Sequence, residues 1–204
     1  MIDGNGRGAT LTPGQAQRRA RVLQAALKLA AEGGYDAVQM REVAATADVA
    51  LGTIYRYFSS KDHLLAAAMA EWTGELTARL SNSPPRGATP TDRLVDVLRR
   101  SSRSLEREPR LTAALITALS ASGEDVAACQ HEVEHGLSQL TGTALRGLDP
   151  QFCAGVTAVL RHVWYSALLS WANGRTDIHQ VGDELERAAR LLLAGSPGSA
   201  GSAA

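Results

Sequence analysis

Apolar residues recur along this chain with the period of a helix, almost from end to end. Leu23, Ala26, Leu27 and Ala30 fall at i, i+3, i+4 and i+7, one stripe on a helix expected from Pro13 to Glu32. The sequence GGY at 33–35 stops it, because glycine accepts the left-handed conformation that closes a helix. Met40, Val43, Ala44 and Ala47 give a second, short stripe. After a break at 48–50, Leu51, Ile54 and Phe58 give a third. Ser60 is placed to cap a long fourth helix carrying Leu65, Ala68, Trp72 and Leu76.

The Pro/Gly/Ser-rich SNSPPRGATP at 81–90 reads as a connector that changes the chain's direction. Beyond it the pattern predicts helices over about 91–107 and 109–122, the second opened by Pro109 in its first turn, and another over about 124–146. Asp149 and Pro150 open a long helix reaching Asn173, and Thr176 starts the last, which ends before Gly195. The expectation is an all-α protein of about nine helices, with disordered tails at 1–12 and 195–204. No run of apolar residues approaches the roughly 18–20 needed to cross a bilayer, so no membrane partner is expected.

Composition adds little to this except in its distribution. Net charge is zero over 204 residues, which gives no global attraction to nucleic acid. Up to Lys61, however, eight Lys/Arg stand against five Asp/Glu, and the excess reverses thereafter. A basic first third suits an anionic partner at that end. Two cysteines, Cys129 and Cys153, make no disulfide framework, and the first residues contain no apolar leader core; both point to the cytoplasm.

Two short helices joined by a tight turn behind a longer one describe a helix-turn-helix. With Leu51, Ile54 and Phe58 inward, the second helix turns Gly52, Thr53, Tyr55, Arg56 and Tyr57 outward. A merely solvated helix would carry Lys and Glu there. Gly52 costs about 1 kcal/mol of helix propensity relative to Ala, which close approach of DNA to the backbone would offset. Tyr, Arg and Tyr offer phosphate hydrogen bonds, a thymine-methyl contact and a guanine reader; Lys61, in the next helix's first turn, offers a phosphate contact. The alternative is an aromatic cluster that ties three helices together.

The stretch GGYDAVQMREVAATADVALGTIYRYFSSKDHLL, residues 33–65, resembles the DNA-binding segment of TetR-family transcriptional regulators. That resemblance implies a homodimeric repressor that binds a double-stranded operator through residues 13–59. It assigns residues 60–194 to ligand binding and dimerisation, with a small hydrophobic inducer and no cofactor, metal or catalytic residue. It implies DNA contacts from Gln39 and Arg41 and from the element Ala50, Leu51, Gly52, Thr53, Tyr55, Arg56 and Tyr57. Two departures stand out: Gln39 occupies a common Thr/Ser cap position, and Ala50-Leu51 replaces a frequent Ser-Lys pair. With ATPTDRL at 88–94 and tryptophans at 164 and 171, the chain more narrowly resembles the family's repressors of cholesterol catabolism. This implies an inducer like a steroid or its coenzyme A thioester.

In the larger part, apolar walls interrupted by small polar groups suit a cavity: Leu98, Ser101, Ser102, Leu105, Leu115 and Leu119, with His135, Trp164 and Leu168. An ordinary bundle core with hydroxyls bonded to the preceding turn gives the same pattern, and Trp164 suits an interface or core equally. Phe152, Val156, Val159, Val163, Trp171, Val181, Leu185 and Leu192 give the last two helices broad apolar faces, as a four-helix dimer interface requires. One motif competes with this reading. HEVEH at 131–135 spells the H-E-x-x-H of zinc hydrolases, with His131 and His135 on one helix face. No third histidine follows at the family spacing, and Glu132 and Glu134 read as part of a solvated acidic stretch.

Overall fold

The computed structural model describes residues 11–194, which form nine helices and no strand. Most of the tails expected at 1–12 and 195–204 lies outside these residues. Thr12, assigned to the first tail, instead caps α1 (Pro13–Ala37) through a reciprocal box with Gln15. The expected stop at GGY takes the form of a kink. Gly34 adopts φ 72°, ψ −164°, and one further turn runs to Ala37.

α2 (Met40–Ala47) and α3 (Leu51–Tyr57) follow, joined through Asp48 in the left-handed conformation at φ 51°. They bury Val43, Ala44, Ala47 and Ile54 in the core that also holds Val22, Leu23 and Ala26 of α1, the helix both pack on. Ser60 accepts from His63 N and opens α4 (Lys61–Ser81). α5 (Pro90–Glu106) begins at a Thr89/Asp92 capping box, just upstream of the expected start. α6 (Pro109–Leu119) and α7 (Glu124–Ala144) come next. Asp149 caps α8 (Pro150–Ala172), and Asp177, rather than Thr176, caps α9 (Ile178–Leu193).

α4 runs out of the small N-terminal unit and packs most extensively on α7. They approach closely at Gly136, where a Cβ would meet Thr73 Cγ2 at 2.9 Å and Thr77 Oγ1 at 3.2 Å. A side chain there would force the helices apart.

Two expectations about the last helices change. Val156, Val181 and Leu185 are not free for a second chain: all three lie in the intramolecular core, where α9 packs its apolar stripe on α5 and α8. Of the remaining interface candidates Val159 is 45% exposed, while Phe152, Val163, Trp171 and Leu192 are half-buried. Second, α8 is by length and composition apolar enough to cross a membrane, contrary to the reading that no segment comes near this. The reason is local. One side of α8 packs on α6, α7 and α9, and its other side is also largely apolar, with Ala154, Gly155, Ala158 and Val159 exposed.

Candidate nucleic-acid interface and internal cavity

The outward side of α3 begins from a backbone with little holding it. Neither Gln39 nor Ala50, the residues preceding α2 and α3, makes a side-chain cap. Gln39 Nε2 instead donates back to Asp36 O at 2.9 Å. The first amides of both helices therefore carry no side-chain partner on the face where a phosphate would approach.

Of the ten residues singled out for DNA contact, Gln39, Arg41, Ala50, Gly52, Tyr55 and Arg56 are exposed. Leu51, Thr53, Tyr57 and Lys61 are half-buried. Tyr55 is 53% exposed although it is a large aromatic. Nothing lies within 4 Å of a Cβ built on Gly52, and its backbone is not left-handed, so no intramolecular constraint asks for glycine there. Arg56 lies over Tyr57, its guanidinium carbon 5.1 Å from the ring centroid, and donates to Tyr57 Oη at 3.3 Å. Tyr57 also packs on the core edge, so the two readings of the aromatic pair divide between the residues: Tyr55 stands free and Tyr57 braces.

Lys61 is held more tightly than expected. Its ammonium sits 3.7 Å from the Tyr35 ring centroid and donates to Tyr35 O at 3.3 Å. Tyr35 in turn donates its hydroxyl to Asp62, and burial together with that carboxylate pushes its pKa up to about 12. Lys61 and Asp62 thus tie the start of α4 to the end of α1.

A second tie, absent from the sequence reading, links the small unit to the large one. Ser59, just after α3, donates to Asp125 Oδ2 of α7 at 2.6 Å. His63 stands beside both, its Nδ1 3.6 Å from Asp125 Oδ2 and its ring edge-on to Phe58. Burial lowers its pKa; Asp125 opposes that shift and Arg19 adds to it. Ser60 was legible as a cap from its spacing to the helix, whereas a bond from Ser59 to a residue 66 positions away left no local signal.

The larger unit contains a partly open cavity of about 300 Å³. Met69, Trp72, Thr73 and Leu76 line it from α4; Leu105 from α5; Ile116 and Leu119 from α6. α7 supplies Gln130, Val133, Glu134 and Leu137, and α8 supplies Arg161, His162, Trp164, Tyr165 and Leu168. Of the residues expected on such a wall, Leu105, Leu119, Trp164 and Leu168 are there. Leu98, Ser101, Ser102 and Leu115 are instead buried in the core away from it. Ser101 donates to Val97 O at 3.0 Å, the ordinary bond to a preceding turn, and Ser102 faces α9 at Gly182. The α4 wall was missed because its apolar stripe reads like any core stripe until α7 and α8 are in place.

His135 lines a neighbouring, more open groove with His131, Ser138 and Thr157. Glu134 and Arg161 form an ion pair and border both spaces. Glu134 is therefore half-buried and paired rather than part of a solvated acidic face. His131 and His135 are exposed and engaged locally, with Ala127 O and Gln139 respectively. Glu132, where the zinc motif would need its base, is exposed on another side. Burial pushes the Cys129 thiol up to about 11, which leaves it a packing group.

Comparison with known proteins agrees with this arrangement. Residues 22–68 match the model of bacterial regulatory proteins of the tetR family, and residues 87–192 match the tetracyclin repressor-like C-terminal domain. The chain is 39% identical over 180 residues to the HTH-type transcriptional repressor KstR of Rhodococcus jostii, covering 88% of this chain and 84% of that protein. It is 37% identical to KstR of Mycobacterium tuberculosis, covering 88% and 82%. A crystal structure of a TetR transcriptional regulator from Rhodococcus sp. RHA1 superposes with a TM-score of 0.79 at 32% identity, covering 89% of this chain and 98% of that one. An N-terminal helix-turn-helix unit followed by a larger helical C-terminal domain matches both family models, and the chain belongs to the TetR family of transcriptional regulators.

Proposed function

We propose that this protein is a TetR-type transcriptional repressor that grips a palindromic operator as a homodimer and lets go when a small hydrophobic inducer enters the body cavity. The single observation that carries the DNA half is the outer side of α3. Tyr55 and Arg56 project from it, and Gly52 leaves its backbone open for no intramolecular reason. In a major groove, Arg56 reads a guanine, Tyr55 meets a thymine methyl or a phosphate, and Gly52 lets the helix approach. Gln39 and Arg41 lie where α2 would cross the phosphates.

The relatives named KstR support repression as the direction of control. The resemblance to repressors of cholesterol catabolism supports a steroid or its coenzyme A thioester as the inducer, and the mostly apolar cavity wall suits such a body. Dimerisation falls to the outer side of α8, around Val159 and the half-buried Phe152 and Val163. Two recognition helices then meet successive major grooves roughly 34–36 Å apart. Inducer and operator communicate through α4, which carries both cavity wall and reading head, and through the Ser59–Asp125 bond to α7. The inducer weakens DNA binding only by its differential affinity for the two head positions; a tenfold loss corresponds to about 1.4 kcal/mol.

Selection of bound fragments from random DNA tests this reading, followed by challenge of the winners with steroid and steroid thioester ligands. A palindrome with half-sites one helical turn apart, released by the ligand, is the expected outcome. Failure to enrich any fragment would remove the operator role.

A further inference from the structure

His63 is the common neighbour of the turn behind α3 and of the first turn of α7. Ser59 N–H donates to His63 Nδ1 at 3.2 Å, and Ser59 Oγ donates to Asp125 Oδ2 at 2.6 Å. Ser59 Oγ also lies 3.2 Å from that ring nitrogen, which is itself 3.6 Å from Asp125 Oδ2.

The protons available allow only two arrangements of these atoms. The serine hydroxyl has a single proton, and the carboxylate takes it, so towards His63 Ser59 Oγ can only accept. Nδ1 carries either a lone pair or a proton. With the lone pair it accepts from the Ser59 amide and faces the hydroxyl oxygen lone pair to lone pair. With the proton it donates to Ser59 Oγ or to Asp125, and the Ser59 amide loses its acceptor. Each arrangement excludes the other.

We infer that Ser59, His63 and Asp125 form a proton-gated latch between the reading head and the body. In the neutral state the ring fastens the turn that ends α3, and a single hydroxyl reaches α7. One proton taken from water onto Nδ1 creates a chain of imidazolium, hydroxyl and carboxylate. That chain ties α4 to α7 by charge-assisted bonds and releases the Ser59 amide.

The charges around the ring set where the latch changes state. Burial weighs most against the proton, Asp125 of α7 favours it, and Arg19 of α1 opposes it. Arg19 is paired with Glu71 of α4 and lies over Phe58, whose ring meets His63 edge-on. Lys61 and Asp62 are turned to Tyr35, Glu124 precedes Asp125 in α7, and Cys129, one turn on, stays a neutral thiol. The change therefore falls below the ordinary histidine value.

An acid titration of the full chain by NMR tests the latch. No DNA is present, so a failed operator reading and a failed latch are distinguishable; the inference rests on that reading only for what the head does. Above the midpoint, ring nitrogen shifts should show the proton on Nε2. As pH falls, the ring should titrate below about 6.5, and the Ser59 amide should move upfield with the same midpoint. The amides of Val126 and Ala127 in α7 should follow it. Asp125→Asn should lower the midpoint by about 0.5 or more. Ser59→Ala should at least halve the α7 shifts, and His63→Gln should abolish every shift at that midpoint. A neutral ring protonated on Nδ1, or one that stays neutral until the chain unfolds in acid, overturns the latch. So does a Ser59 amide that is silent while His63 titrates, a midpoint indifferent to Asp125→Asn, or α7 shifts that survive Ser59→Ala.

Discussion

Tyr55 stands 53% exposed on α3, and Trp164 is 7% exposed on the cavity wall of the body; both are amphipathic aromatics, in opposite surroundings. The head keeps Tyr55 and Arg56 on a surface made by two short helices without side-chain caps, and its partner is large, anionic and outside. The body carries Trp164 and Thr73 on a wall assembled from five helices, and the partner proposed for it is small and must enter. Recognition of a polymer requires side chains that the fold leaves uncommitted. Recognition of a small molecule requires an interior left incomplete.

That contrast is open to several tests, the largest first. Leu185 belongs to the body's own core, so Leu185→Ala should cost about 2–5 kcal/mol of folding stability in urea melts. Val159→Glu, on the exposed side of α8, should instead leave the secondary structure intact and shift the protein to monomer in sedimentation. Were Leu185→Ala to dissociate the dimer without loss of stability, Leu185 would belong to the interface and not to the core.

Arg56→Ala should weaken operator binding by about 1–3 kcal/mol and relax base preference at one position of the half-site, with melting unchanged. Gly52→Ala separates folding from function in sign: α3 should gain up to about 1 kcal/mol of helix propensity while operator affinity falls. Affinity unchanged in a mobility shift would show that DNA does not approach the backbone there.

The smallest effect concerns His63. Its folded pKa lies below the ordinary histidine value, chiefly through burial, so the unfolded chain takes up a proton at a higher pH than the folded one does. Stability is therefore full above the ordinary histidine range and declines as pH falls through it. Urea midpoints compared at pH 7.5 and 5.5 should show this decline, reduced in His63→Gln.

The head was legible in sequence because its signals are local. Leu51, Ile54 and Phe58 define an inner side within eight residues, and whatever is left over faces outward. Helix boundaries followed for the same reason, from Ser60, Pro109 and Asp149 at their caps. The cavity was not legible in this way. Thr73 and Met69 lie on a stripe that spacing alone assigns to core, and only Val133 and Trp164, from helices far along the chain, make them a wall. Ser101 and Ser102 misled for the converse reason. A hydroxyl beside leucines looks the same whether it faces a ligand or the preceding turn, and in Ser101 the turn has it. Val181 and Leu185 were apolar enough for an interface, but α9 buries them within the body, where it packs on α5 and α8.

The uninterrupted course of α4 has a mechanical consequence. Twelve residues separate Thr73 from Lys61, roughly 18 Å at the helical rise. A tilt of about 10° pivoting at the cavity would swing the far end by roughly 3 Å, and two symmetry-related arms would change their span by up to about 6 Å. Against a groove repeat of roughly 34–36 Å that is enough to put one reading helix onto the sugar-phosphate ridge. In the proposed dimer the rod would thus act as a lever arm, and a displacement of ångström size beside Thr73 would suffice to throw the switch.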